Sequence, residues 1–111
     1  MKNLGTYYGT TLLDETDLVE TRNKNKIELD YYGIKKHGKI TKRKTFYGIA
    51  IVKKEYMKDE IKFERNIIEK ITTNERKVVR IIEKLKNCKV TPIGMEDVLS
   101  DMLKQKAFQE E

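Results

Sequence analysis

Phe46-Tyr47-Gly48-Ile49-Ala50-Ile51-Val52 is an almost unbroken apolar run of strand-forming residues. In a strand, Tyr47, Ile49 and Ile51 share one face while Phe46, Ala50 and Val52 share the other. Apolar side chains on both faces mark a central strand, and the rest of the chain can be placed around it. Before it, Ile27, Leu29 and Tyr31 alternate with Glu28 and Asp30, the period-2 pattern of a half-buried strand. Past Tyr31 the apolar signal moves to Tyr32 and Ile34 with Gly33 between them, and that phase change predicts a β-bulge at the glycine. After it, Ile61 and Phe63 alternate with Lys62 and Glu64 and continue loosely to Ile67 and Ile68. The connectors 35–44 and 54–59 are short enough for hairpins, which makes the strands an antiparallel meander.

Residues 1–22 read as an N-terminal arm in which Tyr7, Tyr8, Thr10, Thr11, Leu12 and Leu13 supply material for one extra strand. Asp14, Glu15 and Asp17 break it, and the turn-prone Arg22-Asn23-Lys24-Asn25-Lys26 marks a boundary. A single α+β domain is expected over 23–106, followed by a frayed tail at 107–111.

The C-terminal third is helical. Thr72-x-x-Glu75 fits a capping box, and Val78, Ile81, Ile82, Leu85 and Cys88 recur at helical spacing, so Cys88 is expected to be buried. Asn87 is the expected left-handed stop. A second helix starts with Thr91 as cap, Pro92 in the first helical position and Val90 stapled to Met95. Its stripe is Met95, Val98, Leu99, Met102 and Leu103. The fold class is therefore α+β: a three- to four-stranded antiparallel β-meander packed on one face by two C-terminal α-helices. Both helical stripes are expected to face Ile49, Ile51, Ile61 and Phe63.

Composition bounds the rest. A chain of 111 residues, 38% hydrophobic and 38% charged, has room for one thin core under a heavily charged surface. One cysteine permits no intrachain disulfide, and the N-terminal MKNLGTYYGT lacks the apolar run of a signal peptide. No stretch approaches the roughly 20 apolar residues of a membrane span. A cytoplasmic protein without membrane contact is the expectation. The net charge of +6 suits a nucleic-acid or acidic protein partner, and it also simply keeps a protein in solution.

Several local strings carry a resemblance. They are Phe46-Tyr47-Gly48-Ile49-Ala50-Ile51, Glu69-Lys70-Ile71-Thr72, Asn87-Cys88-Lys89-Val90-Thr91-Pro92-Ile93 and Glu96-Asp97-Val98-Leu99-Ser100-Asp101-Met102-Leu103. In this order they resemble an uncharacterised domain-of-unknown-function family of short proteins from spore-forming, clostridial-type bacteria. The resemblance covers roughly residues 26–104 and is most specific from Val90 into the last helix; the arm and the 35–44 loop lie outside it or differ. Gly94 departs from the family form, which has a larger, often polar residue there. The resemblance implies fold boundaries and a bacterial origin, and it transfers no catalytic residue.

The sharpest local feature is the basic hairpin loop 35–44. Lys35, Lys36, Lys39, Lys42, Arg43 and Lys44 gather near Tyr32 and Tyr47, a combination able to neutralise phosphates and stack on unpaired bases. The plainer reading is a solvated loop whose lysines discourage edge aggregation. Asp97 and Asp101 are helical neighbours beside Glu96, but no His or Cys joins them and they oppose the apolar stripe, which favours a solvated face. His37 sits in the basic loop without an orienting carboxylate, and neither it nor Cys88 forms a nucleophile–base pair. No phosphate loop, dinucleotide fingerprint or paired-cysteine motif is present, so no catalytic residue, cofactor or metal ligand is assigned and no enzyme is expected. The function expected is a small interaction or regulatory module. It would meet a protein partner or a second copy through the tyrosine-bearing sheet face or an edge strand, with nucleic-acid binding by the loop as the alternative.

Overall fold

The computed structural model describes residues 5–13, 26–37 and 45–105. Strands β2 (Lys26–His37) and β3 (Thr45–Tyr56) pair antiparallel along their full length, from Lys26 opposite Tyr56 to His37 opposite Thr45. A tight turn closed by Met57 N–H donating to Glu60 O at 2.9 Å leads into β4 (Ile61–Thr72), which pairs with β3. Strand β1 (Thr6–Leu13), from the arm, pairs with the far side of β2. The result is a four-stranded antiparallel sheet in the order β1-β2-β3-β4, followed by α1 (Glu75–Asn87) and α2 (Met95–Leu103). Asp14, Glu15, Asp17, the 22–25 boundary, loop residues Lys39, Lys42, Arg43 and Lys44, and the 107–111 tail lie outside the described residues.

Strand alternation sorts the side chains. Ile27, Leu29 and Tyr31 of β2 and Ile49 and Ile51 of β3 lie on one side and are all 2% exposed or less. Leu29, Tyr31, Ile49 and Ile51 form the core with Val78, Ile81, Ile82 and Leu85 of α1, Val90, and Met95, Leu99 and Met102 of α2. Each fully buried aliphatic side chain of this kind contributes about 1.5–3 kcal/mol. Both helical stripes thus cover the same side of the sheet.

The β2 alternation does not slip at Gly33, because the register with β3 is continuous there. Gly33 stays on the helix side, and Tyr32 and Ile34 belong to the other side. The missing side chain is replaced by a ring from the neighbouring strand: a Cβ on Gly33 would lie 2.5 Å from Tyr8 Cε2. The register shift is in β1, between Tyr7 and Gly9. Ile61 and Phe63 also depart from expectation. Opposite Tyr56 and Lys54, they lie on the side away from the helices, 45% and 61% exposed. Ile68 and Asn66, opposite Ile49 and Ile51, take the helix-facing places instead.

The helix ends follow local hydrogen bonding. Thr72 is still paired with Tyr47 in β4, so the cap of α1 falls to Asn74, whose side chain accepts from Lys77 N–H at 3.3 Å. Thr72 Oγ1 accepts from Asn74 N–H at 3.1 Å. At the other end the left-handed residue is Lys89 (φ 55), not Asn87. Val90 N–H donates to Leu85 O at 3.0 Å and Lys89 N–H to Lys86 O at 3.1 Å, the paired bonds of a Schellman motif. This closing turn takes Cys88 out of the helical stripe and leaves it exposed, while buried Val90 packs in its stead. Thr91 Oγ1 accepts from Gly94 N–H at 3.4 Å and so caps a turn through Pro92, with α2 proper starting at Met95.

Hydrogen bonds tie the helices and their linker to the sheet. Tyr31 OH donates to Val90 O at 2.9 Å and Asn66 Nδ2 to Pro92 O at 3.1 Å. Thr11 Oγ1 donates to Lys86 O at 3.2 Å, and Lys86 Nζ to Tyr8 O at 3.4 Å. The arm's strand is therefore bound to both β2 and α1. No described helix is long and apolar enough to cross a membrane.

Gly48 sits where residues 69–71 of β4 bulge opposite it, and a Cβ there would overlap the Ile68 carbonyl oxygen. Gly94, in contrast, has helical angles and open space, its imagined Cβ meeting nothing nearer than Thr91 Oγ1 at 3.6 Å. Gly48→Ala should cost about 2 kcal/mol or more. Gly94→Ala should stabilise by about 0.5 kcal/mol through the unfolded chain. Urea unfolding midpoints of the two variants check both signs.

Candidate functional site

Two short helices cover one side of the sheet, and no described helix lies over the other. Alternation places on it Tyr7, Thr10 and Leu12 of β1, Glu28, Asp30 and Tyr32 of β2, Val52, Lys54 and Tyr56 of β3, and Ile61, Phe63 and Ile67 of β4. Tyr7 and Leu12 are more than half exposed, at 55% and 52%. Tyr7 and Tyr32 face each other across β1 and β2, with ring centroids 5.6 Å apart at 55°.

At the centre of this face lies a carboxylate. Asp30 is only 4% exposed, the one buried charged residue among those described. Thr10 Oγ1 donates to its Oδ1 at 2.6 Å, and Lys54 Nζ lies 3.0 Å from its Oδ2. Tyr7 OH extends the chain through a hydrogen bond with Thr10 Oγ1. A buried carboxylate needs such partners, because removal from water would otherwise cost several kcal/mol. The hydrogen bond to Asp30 raises the Lys54 ammonium above its ordinary pKa. Burial raises the Tyr32 phenol, and the Asp30 charge adds to it.

A second cluster flanks the first. Tyr56 OH donates to Glu28 Oε2 at 3.0 Å, which raises that phenol's pKa, and Lys26 Nζ lies 3.3 Å from Glu28 Oε1 and 5.5 Å from the Tyr56 ring centroid. Toward the opposite end of the strands, Lys36 Nζ meets Glu69 Oε2 at 2.7 Å, and Lys70 Nζ sits 5.0 Å from the Phe46 ring centroid. Lys26, Lys36 and Lys54 are thus each matched by a carboxylate. The face offers aromatic and apolar contact area with hydroxyls at fixed positions, and exposed Arg65 of β4, opposite Val52, adds a cation to it.

Of the residues singled out around the basic loop, Lys39, Lys42, Arg43 and Lys44 lie outside the described residues, and the two tyrosines fall on opposite sides of the sheet. Tyr32 lies on the uncovered face, whereas Tyr47 lies on the helix side against the core. Lys35 is exposed opposite Tyr47, and Lys36 is held by Glu69. His37 ends β2, its Nδ1 3.3 Å from Thr45 Oγ1. Asp97 and Asp101 are exposed on α2. Among the described residues no three His, Cys, Asp or Glu side chains converge as a metal would require. The Asp30 network was not read from the sequence. Thr10, Asp30 and Lys54 meet only across strands, and their meeting depends on a register that alternation alone does not set.

The chain belongs to the family of unknown function DUF6514, whose model matches residues 11–105. That match begins within β1, so it reaches further toward the N-terminus than the sequence strings around the central strand do. No curated protein and no solved structure matches the chain.

Two predictions follow from the charge network. Lys54→Met leaves the Asp30 carboxylate buried without its cation and should cost about 2–3 kcal/mol, whereas Asp30→Asn with Lys54→Met should cost less than the single change. Equilibrium unfolding of both variants measures the difference. The second concerns pH. Burial pushes the Tyr31 phenol well above its ordinary value, and Tyr32 and Lys54 are raised too. Groups that hold their protons more tightly when folded give their full stabilisation below the unfolded pKa and lose it as pH climbs through the folded one. Stability should therefore fall above about pH 10, and Tyr31→Phe should flatten that fall in urea titrations.

Proposed function

We propose that the chain is a small non-enzymatic module of the cytoplasm that binds a protein partner through the uncovered face of β1, β2 and β3. One observation carries this reading: Lys26, Lys36 and Lys54 are each neutralised by a carboxylate, while Tyr7 and Leu12 remain more than half exposed. A phosphate backbone is drawn by unneutralised cations. A protein surface is held by aromatic anchors and fixed hydrogen-bonding groups. Tyr7 and Tyr32 fit the anchor role, since tyrosine offers a large contact area and a polar tip at low entropic cost. Asp30, held between Thr10 and Lys54, keeps the strands beneath them in one geometry.

Nucleic-acid binding by the 35–44 loop is the second reading. It is supported by Lys35, which is exposed near the end of β2.

Both readings are tested together. The chain, immobilised at near-native loading, should retain one specific protein from cell extract, and binding of that purified protein should weaken about tenfold or more for Tyr7→Ala with Tyr32→Ala. Asp97→Asn on α2 should leave binding unchanged. Failure to retain any protein specifically would remove the reading. Oligonucleotide titrations at several salt concentrations address the loop: a steep salt dependence whose slope drops by about one for each of Lys42, Arg43 and Lys44 changed to Ala would favour nucleic acid instead.

A further inference from the structure

β4 is an edge of the sheet: β3 lies on one side of it, and no described strand lies on the other. An edge strand presents backbone N–H and C=O groups that a further strand can take up. The first half of β4 has the side chains to choose that strand. Phe63 and Ile61 are exposed on the uncovered face. Lys62 and Glu64 point to the helix side, opposite Glu55 and Lys53 of β3.

We propose that this edge pairs with itself: β4 lies antiparallel to β4 of a second copy, about a two-fold axis at Phe63, and the two sheets become one. In that register each Lys62 faces the second copy's Glu64, and each Ile61 faces the second copy's Arg65. A row running across the interface then reads Glu55, Lys62, the second copy's Glu64 and the second copy's Lys53, with the sign alternating at every step. Opposite charges directly across a strand pair stabilise it, and like charges destabilise it. The two Phe63 rings meet on the axis, so a largely exposed aromatic side chain leaves water.

The competing registers are poorer. Moving the axis to Lys62, Glu64 or Arg65 sets that charged residue against its own copy. An axis at Ile67 would match Arg65 with Glu69 and Glu64 with Lys70, but the strand bulges at 69–71 and Glu69 is held by Lys36 at 2.7 Å. Axes between residues would oppose uncovered-face side chains to helix-side ones. Among axes set on residues 62–65, the one at Phe63 alone places no charged residue against its own copy. This surface is separate from the β1–β3 face and does not depend on its partner.

Sedimentation velocity of the full chain over a dilution series tests the idea. The wild type should pass from the 13.1 kDa species to one of twice that mass as concentration rises. Lys62→Glu and Glu64→Lys should each stay at the lower mass at the same concentrations, since each sets like charges across the axis. An equimolar mixture of the two variants should regain the doubled mass, because one brings two carboxylates and the other two ammonium groups. Should either variant fail to fold by circular dichroism, a cysteine pair decides. In a Cys88→Ser background, mild oxidation should join two chains through Phe63→Cys, on the axis, and not through Ile61→Cys. A wild type that stays at the lower mass throughout, a mixture of folded variants that does not recombine, or equal cross-linking at both positions would overturn the proposal.

Discussion

A pleated sheet has two faces, and helices of 13 and 9 residues at one end of the chain cover only one of them. Everything else in the molecule answers to that limit. On the covered side the solution is ordinary packing: Leu29, Tyr31, Ile49 and Ile51 beneath the apolar stripes of α1 and α2. On the other side no second layer is available among the described residues, so the strands stabilise themselves with cross-strand polar pairs. Asp30 with Thr10 and Lys54, and Glu28 with Tyr56 and Lys26, stitch the three strands β1, β2 and β3 together where no helix presses on them.

Tyr31 joins these arrangements to the helical layer. Its ring fills the core, and its hydroxyl reaches Val90 O, a carbonyl in the linker between the helices. Burying a phenol is tolerable only with a partner for its O–H, and burying that carbonyl is tolerable only with a donor. One hydrogen bond meets both needs. It also fixes where the linker crosses the sheet, and Asn66 holds the same linker through Pro92 O. The left-handed turn at Lys89 is the local cost of bringing Val90 to that point.

How much of this could be read beforehand depends on the range of the signal. The central strand, the meander, the side taken by the helices and the α2 stripe all rest on periodicity within a few residues, and they stand in the structure. Signals that depend on a neighbour in space were misread or missed. Gly33 looked like a phase slip because Tyr8, which occupies its place, lies in another strand. Ile61 and Phe63 have the alternation of a buried face, but the register with β3 turns them outward. Cys88 keeps step with Leu85 in sequence, yet the Schellman turn ends the helix just before it. Thr72 has the residue type for a cap, but its backbone is still committed to β4. The Asp30 network is invisible for the same reason: each member is an unremarkable polar residue until the strands are aligned.

The element order also has a consequence during synthesis. All four strands precede both helices, and each strand pairs with its neighbour in sequence, so the sheet can assemble before α1 has left the ribosome. Translation at roughly 5–20 residues per second leaves an interval on the order of seconds before the helices arrive. Through that interval Leu29, Ile49 and Ile51 are bare to water. A message truncated after β4 would yield a product with the four strands but neither helix to cover Leu29, Ile49 and Ile51.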